Sequence, residues 1–150
     1  MIPQGIMNGA DMKYLLLTSS LALASLATLA SAEQIRLLSS SDFDWQSTPE
    51  GVAFAALHGD RFSDAYQALV RLPAGTVSPP HVKSANMFGV MLEGEMIHYA
   101  HDADPAAARV IGPGSFYSIA AGAAHVSACV SAIPCVAYLY QDGAFDFLPV

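Results

Sequence analysis

Turn-forming residues recur so often after residue 50 that no long helix fits between them. Gly59-Asp60, Pro73-Ala74-Gly75, Glu93-Gly94, residues 102–105, Gly112-Pro113-Gly114, Ala120-Ala121-Gly122 and Asp142-Gly143 each close an apolar run. The runs span residues 52–58, 65–72, 86–92, 95–101, 109–111, 115–119 and 145–148. These are strand lengths, whereas an amphipathic helix needs several uninterrupted turns to bury one face. Short strands at this spacing predict an all-β sandwich or barrel. Residues 103–108 leave room for one helical turn inside a loop.

The beginning of the chain follows a different pattern. Lys13 precedes an apolar stretch at 14–29, which ends at Ala30-Ser31-Ala32. A basic start, an apolar middle and a small-x-small end are the parts of a secretory signal peptide. Thr18, Ser19, Ser20 and Ser25 interrupt the stretch, while a membrane anchor needs about 20 predominantly apolar residues. A cleaved leader over residues 1–32 is therefore expected, with translation starting at Met12 or Met7 and no stable membrane insertion. One domain remains, residues 33–150, with its barrel from residue 40, and a periplasmic or secreted location. With 13 acidic and 6 basic residues the net charge is -7. So few cations make no phosphate-binding stripe, which argues against nucleic acid and anionic membrane surfaces as partners. Disorder is excluded, because 53% of the chain is hydrophobic and has apolar surface to bury.

Export places Cys129 and Cys135 in an oxidising compartment. Both flanks, HVSAC and CVAYLY, read as strands. A hairpin turning around Ala132 would set the cysteines opposite each other, in reach of a disulfide in the right register. The alternative is a pair of small buried apolar side chains. Zinc is not indicated, since the pair lacks two further ligands.

Two spaced patterns are more specific. Gly75, His81 and Gly94 fall on a motif that reads Gly, five residues, His, one, His, three or four, Glu, six, Gly. Gly114, Gly122 and His125 fall on a second: Gly, five, Pro, one, Gly, two, His, three, Asn. Together they resemble the two motifs of the cupin superfamily. The run from Trp45 through Pro49 and Gly51 resembles the lead-in of small single-domain cupins. Residues 135–150 resemble the ending of an exported cupin-like group of unassigned function. The resemblance implies a double-stranded β-helix, a jelly-roll-like small barrel. It also implies a site of three His and one Glu around Fe, Mn, Ni or Zn, and edge-to-edge pairing into a homodimer.

The sequence departs from that ligand set. Lys83 stands at the second His position, Met87 at the Glu position, Ala120 at the Pro position and Cys129 at the Asn position. In a strand, residues i and i+2 share a face, so His81 and Lys83 are expected to point into the barrel, with His125 facing them across it. The expected pocket is His81, Lys83, Met87, Tyr117 and His125, with His81 and His125 the only metal ligands of the motif retained. An ammonium repels a metal and a thioether is a poor ligand for hard divalent ions. Glu93, Glu95, His98, His101 and Tyr117 are the residues available to complete a metal site. His98 and His101 are read as solvated, Phe88, Val90 and Leu92 as packing the face opposite Met87. The expected function is binding of a small organic molecule, an anion among the options, in this pocket. The alternatives are a metal-dependent enzyme of dioxygenase or isomerase type, and a structural or sensing domain.

Overall fold

The computed structural model describes residues 35–150, of which Leu37–Val150 form one compact unit. The leader expected over residues 1–32 lies outside the described residues. Ten strands follow in order: β1 (Trp45–Ser47), β2 (Ala53–His58), β3 (Tyr66–Leu72), β4 (His81–Val82), β5 (Met87–Glu93), β6 (Met96–Ala100), β7 (Phe116–Ile119), β8 (His125–Cys129), β9 (Cys135–Gln141) and β10 (Leu148–Pro149). They form a six-stranded sheet, β1-β2-β3-β9-β5-β7, and a four-stranded sheet, β10-β4-β8-β6. All of the named strand pairings are antiparallel. The all-β expectation holds. Residues 109–111 contribute only a bridge, Ile111 to Met96. Of residues 145–148 only the last enters a strand, and the helical turn is Pro105–Ala107, its N–H of Ala106 capped by Asp104. Among the described residues no helix is long and apolar enough to cross a membrane.

Alternation sets the core. Tyr66, Ala68, Val70 and Leu72 of β3 meet Cys135, Ala137 and Leu139 of β9 and Met87 and Met91 of β5. Met96 and Cys129 close this cluster from the four-stranded sheet. Phe88 and Val90 are half-buried on the outer face, as expected, and Phe88 stacks on Tyr140 at 6.0 Å. Leu92 is exposed. The buried polar exception, Gln141, is satisfied: it accepts from Tyr66 Oη at 3.3 Å and donates to Ala144 O at 2.6 Å. Burial pushes the Tyr66 phenol up to about 12, so it stays a donor at any ordinary pH.

The cysteine hairpin is corrected. β8 pairs with β4 and β6, and β9 pairs with β3 and β5, so the two strands sit in different sheets. Cys129 and Cys135 nevertheless lie at disulfide distance, with Cα atoms 5.7 Å apart. The chain between them crosses from one sheet to the other. Gly94 makes room for that crossing: it has φ +72°, and a Cβ there would lie 2.9 Å from Pro134 O and 2.8 Å from Ser131 Oγ. The bond thus ties sheet to sheet at one corner of the barrel. It closes a short loop, so its loss in Cys129→Ser with Cys135→Ser is expected to cost at most about 3 kcal/mol in urea unfolding. Thiol titration of denatured, unreduced protein should find none free; two free thiols would remove the bond.

Candidate functional site

The inner face of the four-stranded sheet changes character along its length. β6 pairs with β8 so that Met96 faces Cys129, His98 faces Ser127 and Ala100 faces His125. The apolar core therefore ends at Ser127, and imidazoles begin. On β4, His81 pairs directly with His125, and their rings lie 4.2 Å apart. Lys83, two residues on, points the same way and is 5% exposed. Tyr117 reaches in from β7 on the other sheet, its ring 4.3 Å from that of His98. That reach depends on Gly89, its partner across the ladder, where a Cβ would fall 2.2 Å from the Tyr117 ring.

Each histidine is oriented by a bond on Nδ1. His81 donates to Pro79 O and His125 to Ala123 O, both at 2.9 Å. A carbonyl only accepts, so both neutral rings carry the proton on Nδ1 and a lone pair on Nε2. His98 Nδ1 is 2.8 Å from Ser127 Oγ. The Nε2 atoms of His98 and His125 are buried with no partner among the described residues. Lys83 donates to the backbone carbonyl of Asp146, while the Asp146 carboxylate accepts from Ser84 N. The Lys83 ammonium also lies 3.8 Å above the Phe145 ring. In front of His81 lies Phe147, nearly parallel at 4.0 Å.

Of the five expected pocket residues, His81 and His125 touch, Lys83 follows two residues along, and Tyr117 packs on His98 instead. Met87 is wall, 8% exposed and part of the core cluster. His98 corrects the sequence reading: it is not solvated but packed against Tyr117 and Ser127. Its parity with Met96 on β6 was the available signal. His101, Glu93 and Glu95 are exposed. Phe145 and Phe147 were missed; their i, i+2 spacing was visible, but not the long-range pairing that brings them over β4. Two surface hollows, of about 280 Å³ beside Arg61 and about 370 Å³ beside Trp45 and Arg71, are lined by none of these histidines.

The sequence matches the family described as the ChrR cupin-like domain over residues 33–142. The chain belongs to that family. No curated protein matches it. Among solved structures this cupin is similar to the polyketide cyclase RemF from Streptomyces resistomycificus, with 16% identity, TM-score 0.61, and coverage of 77% of this chain and 85% of that one. It is also similar to an RmlC-like cupin from Shewanella frigidimarina, at 11% identity, TM-score 0.60, 77% and 95% coverage. A third is the Rhodobacter sphaeroides complex of SigE with the anti-sigma ChrR, at 18% identity, TM-score 0.55, 69% coverage of this chain and 51% of that one. At these identities the likeness shows the fold.

The metal set of the cupin motif does not fit here. Among the described residues no three His, Cys, Asp or Glu side chains group to hold an ion. Lys83 adds a cation, and Met87 adds a soft thioether, where a hard ion needs an imidazole and a carboxylate. What the arrangement does provide is one buried ammonium beside neutral imidazoles with free lone pairs.

Burial keeps those imidazoles neutral. It holds His81 and His98 down to about 4 from 6.5, with the mutual proximity of the rings adding to it, and lowers His125 likewise. Burial also lowers Lys83 to about 8, against the opposing pull of Asp146. Between about 6.5 and 4 the unfolded chain takes up protons that the folded barrel refuses, so stability falls as pH drops through that window. The Cε1–H resonances of His81 and His98 should not move between pH 8 and about 5.5. Titration of either near 6.5 would mean that the cluster is wet.

Proposed function

We propose that this cupin barrel binds a small organic acid that also carries hydroxyl or N–H donors. The observation that carries the reading is Lys83: a 5% exposed ammonium whose hydrogen-bond partner is a backbone carbonyl, not a carboxylate. A buried cation is stabilised far better by an anion than by a neutral carbonyl. The His125 Nε2 lone pair, buried and without a partner among the described residues, needs a donor, which a hydroxyl or N–H of the same ligand supplies. The pocket thus has one anion site and at least one acceptor site. In titration calorimetry a hydroxy acid such as glycolate or 3-hydroxybenzoate should bind, and its amide should bind more weakly. Lys83→Met should weaken acid binding about tenfold or more, since a charged hydrogen bond is worth about 1.5–3 kcal/mol. Equal binding of acid and amide would sink the anion site.

The same donor set makes a metal enzyme the weaker reading. Protein purified without added metal should carry well under about one divalent ion per chain. Lys83→His with Met87→Glu should raise that content, because both stand at ligand positions of the motif. Near-stoichiometric metal in the unmodified protein, lost in His125→Ala, would reverse the order of the two readings. Export is proposed on the leader pattern at residues 12–32 together with the cysteine pair. Intact mass of exported protein starting at Glu33 is the outcome that supports it, and an uncleaved, membrane-held product is the one that rejects it.

A further inference from the structure

Residues 145–149 lie across the mouth of the site and make the contacts expected of a ligand. The Asp146 carbonyl takes the Lys83 ammonium. The Phe147 ring lies flat on His81, with centroids 4.0 Å apart and an interplanar angle of 15°. The segment is held on both sides. Phe145 N donates to Arg61 O at 2.6 Å, and the Asp146 carboxylate accepts from Ser84 N at 3.0 Å. Beyond it, Leu148 and Pro149 pair with Val82 and His81. Between these anchors the Phe147 side chain is 39% exposed on its outer side, and its inner face covers an imidazole that is 4% exposed. We propose that this strap is a built-in stand-in for the ligand, with Phe147 as its displaceable part, and that the ligand is an aryl carboxylate whose ring takes the place of Phe147.

The geometry fixes the class. Lys83 Nζ is 5.3 Å from the centroid of the Phe147 ring. A carboxylate attached directly to a ring in that place comes within hydrogen-bond reach of the ammonium. It would give the ammonium a charged acceptor beside the neutral Asp146 carbonyl, the stronger of the two partners. The ring would keep the stacking on His81 that Phe147 makes. Only a side-chain rotation of Phe147 is needed, because the β10 ladder and the Ser84 contact are made by other atoms. An occupied mouth lowers apparent affinity by the fraction of time it is open. The strap therefore favours ring-bearing acids, which take over its stacking, above small aliphatic acids, which do not.

This inference rests on the organic-acid reading, so its test separates the two. Phe147→Ala and the unmodified protein are compared by two measurements. The first is diethyl pyrocarbonate labelling mapped by mass spectrometry, with exposed His58 and His101 as internal controls. The second is calorimetry with 3-hydroxybenzoate and with glycolate. In Phe147→Ala, His81 should label faster while the controls do not change, and 3-hydroxybenzoate should bind about tenfold more tightly. In the unmodified protein 3-hydroxybenzoate should bind better than glycolate. Unchanged His81 labelling shows that Phe147 covers nothing and overturns the strap. Faster labelling with unchanged 3-hydroxybenzoate affinity overturns its role as a competitor. Faster labelling with no binding of either acid to either protein leaves the cover standing and removes the organic-acid reading, and with it the ligand class. Should Phe147→Ala not fold, Phe147→Leu keeps apolar bulk, loses the flat ring, and is read by the same two measurements.

Discussion

The crossing between β8 and β9 is the constraint on which the barrel depends. Five residues separate two strands that belong to different sheets. Because β9 enters the middle of the six-stranded sheet, it pairs along its whole length with β3 on one side and most of it with β5 on the other. Because β8 stays in the four-stranded sheet, its inner residues face β9's across the core. Any hairpin between them would flatten this into one sheet and leave Met91, Cys129 and Ala137 with nothing to bury against. The tight approach at Gly94 and the sulfur pair at Cys129 and Cys135 both serve this one passage.

The site follows from the same arrangement. The inner face of β8 carries Cys129, Ser127 and His125 at successive i, i+2 steps, so a single strand runs from apolar core to polar mouth. The histidines sit where the core ends. They are buried enough to stay neutral, yet near enough to the mouth for Lys83 to keep a charge at neutral pH, since burial brings it down only to about 8. A neutral acceptor cluster beside one cation suits the acids proposed above, and it is a poor cradle for a second cation. That is why replacing one His and the Glu of the motif with Lys83 and Met87 changes what the same backbone can hold.

Strand positions were legible in the sequence because turn residues and apolar runs are local signals. The burial of His81, Lys83, Met87 and His125 was legible because they stand at spaced positions of the motif and strand parity aims them inward; Tyr117 stands at no motif position. His98 was misread because a lone histidine between Ile97 and Tyr99 gives no sign of which face is inner; parity with Met96 becomes decisive only once β6 is paired with β8. The cysteines were placed in contact correctly but for the wrong reason. A five-residue connection suits a hairpin as well as a sheet crossing, and only the long-range pairing of β9 with β3 decides between them. Phe145 and Phe147 escaped notice for the same reason: their contacts run to β4 and the Arg61 turn, more than sixty residues earlier in the chain.

β8 is held very differently at its two ends. Beside Cys129 the sheets are joined through sulfur, with Val130 N bonded to Glu95 O at 2.8 Å. Beside His125 the neighbouring strand β4 contributes two residues, and β10 beyond it two more. One end of β8 is thus tied covalently and the other only by short ladders, so local opening costs less at the histidine end. Openings of the barrel then begin at one rim and travel inward only as far as the tie allows. Solvent and solutes meet the imidazoles long before they reach Met91, so exchange at the mouth is decoupled from unfolding of the core.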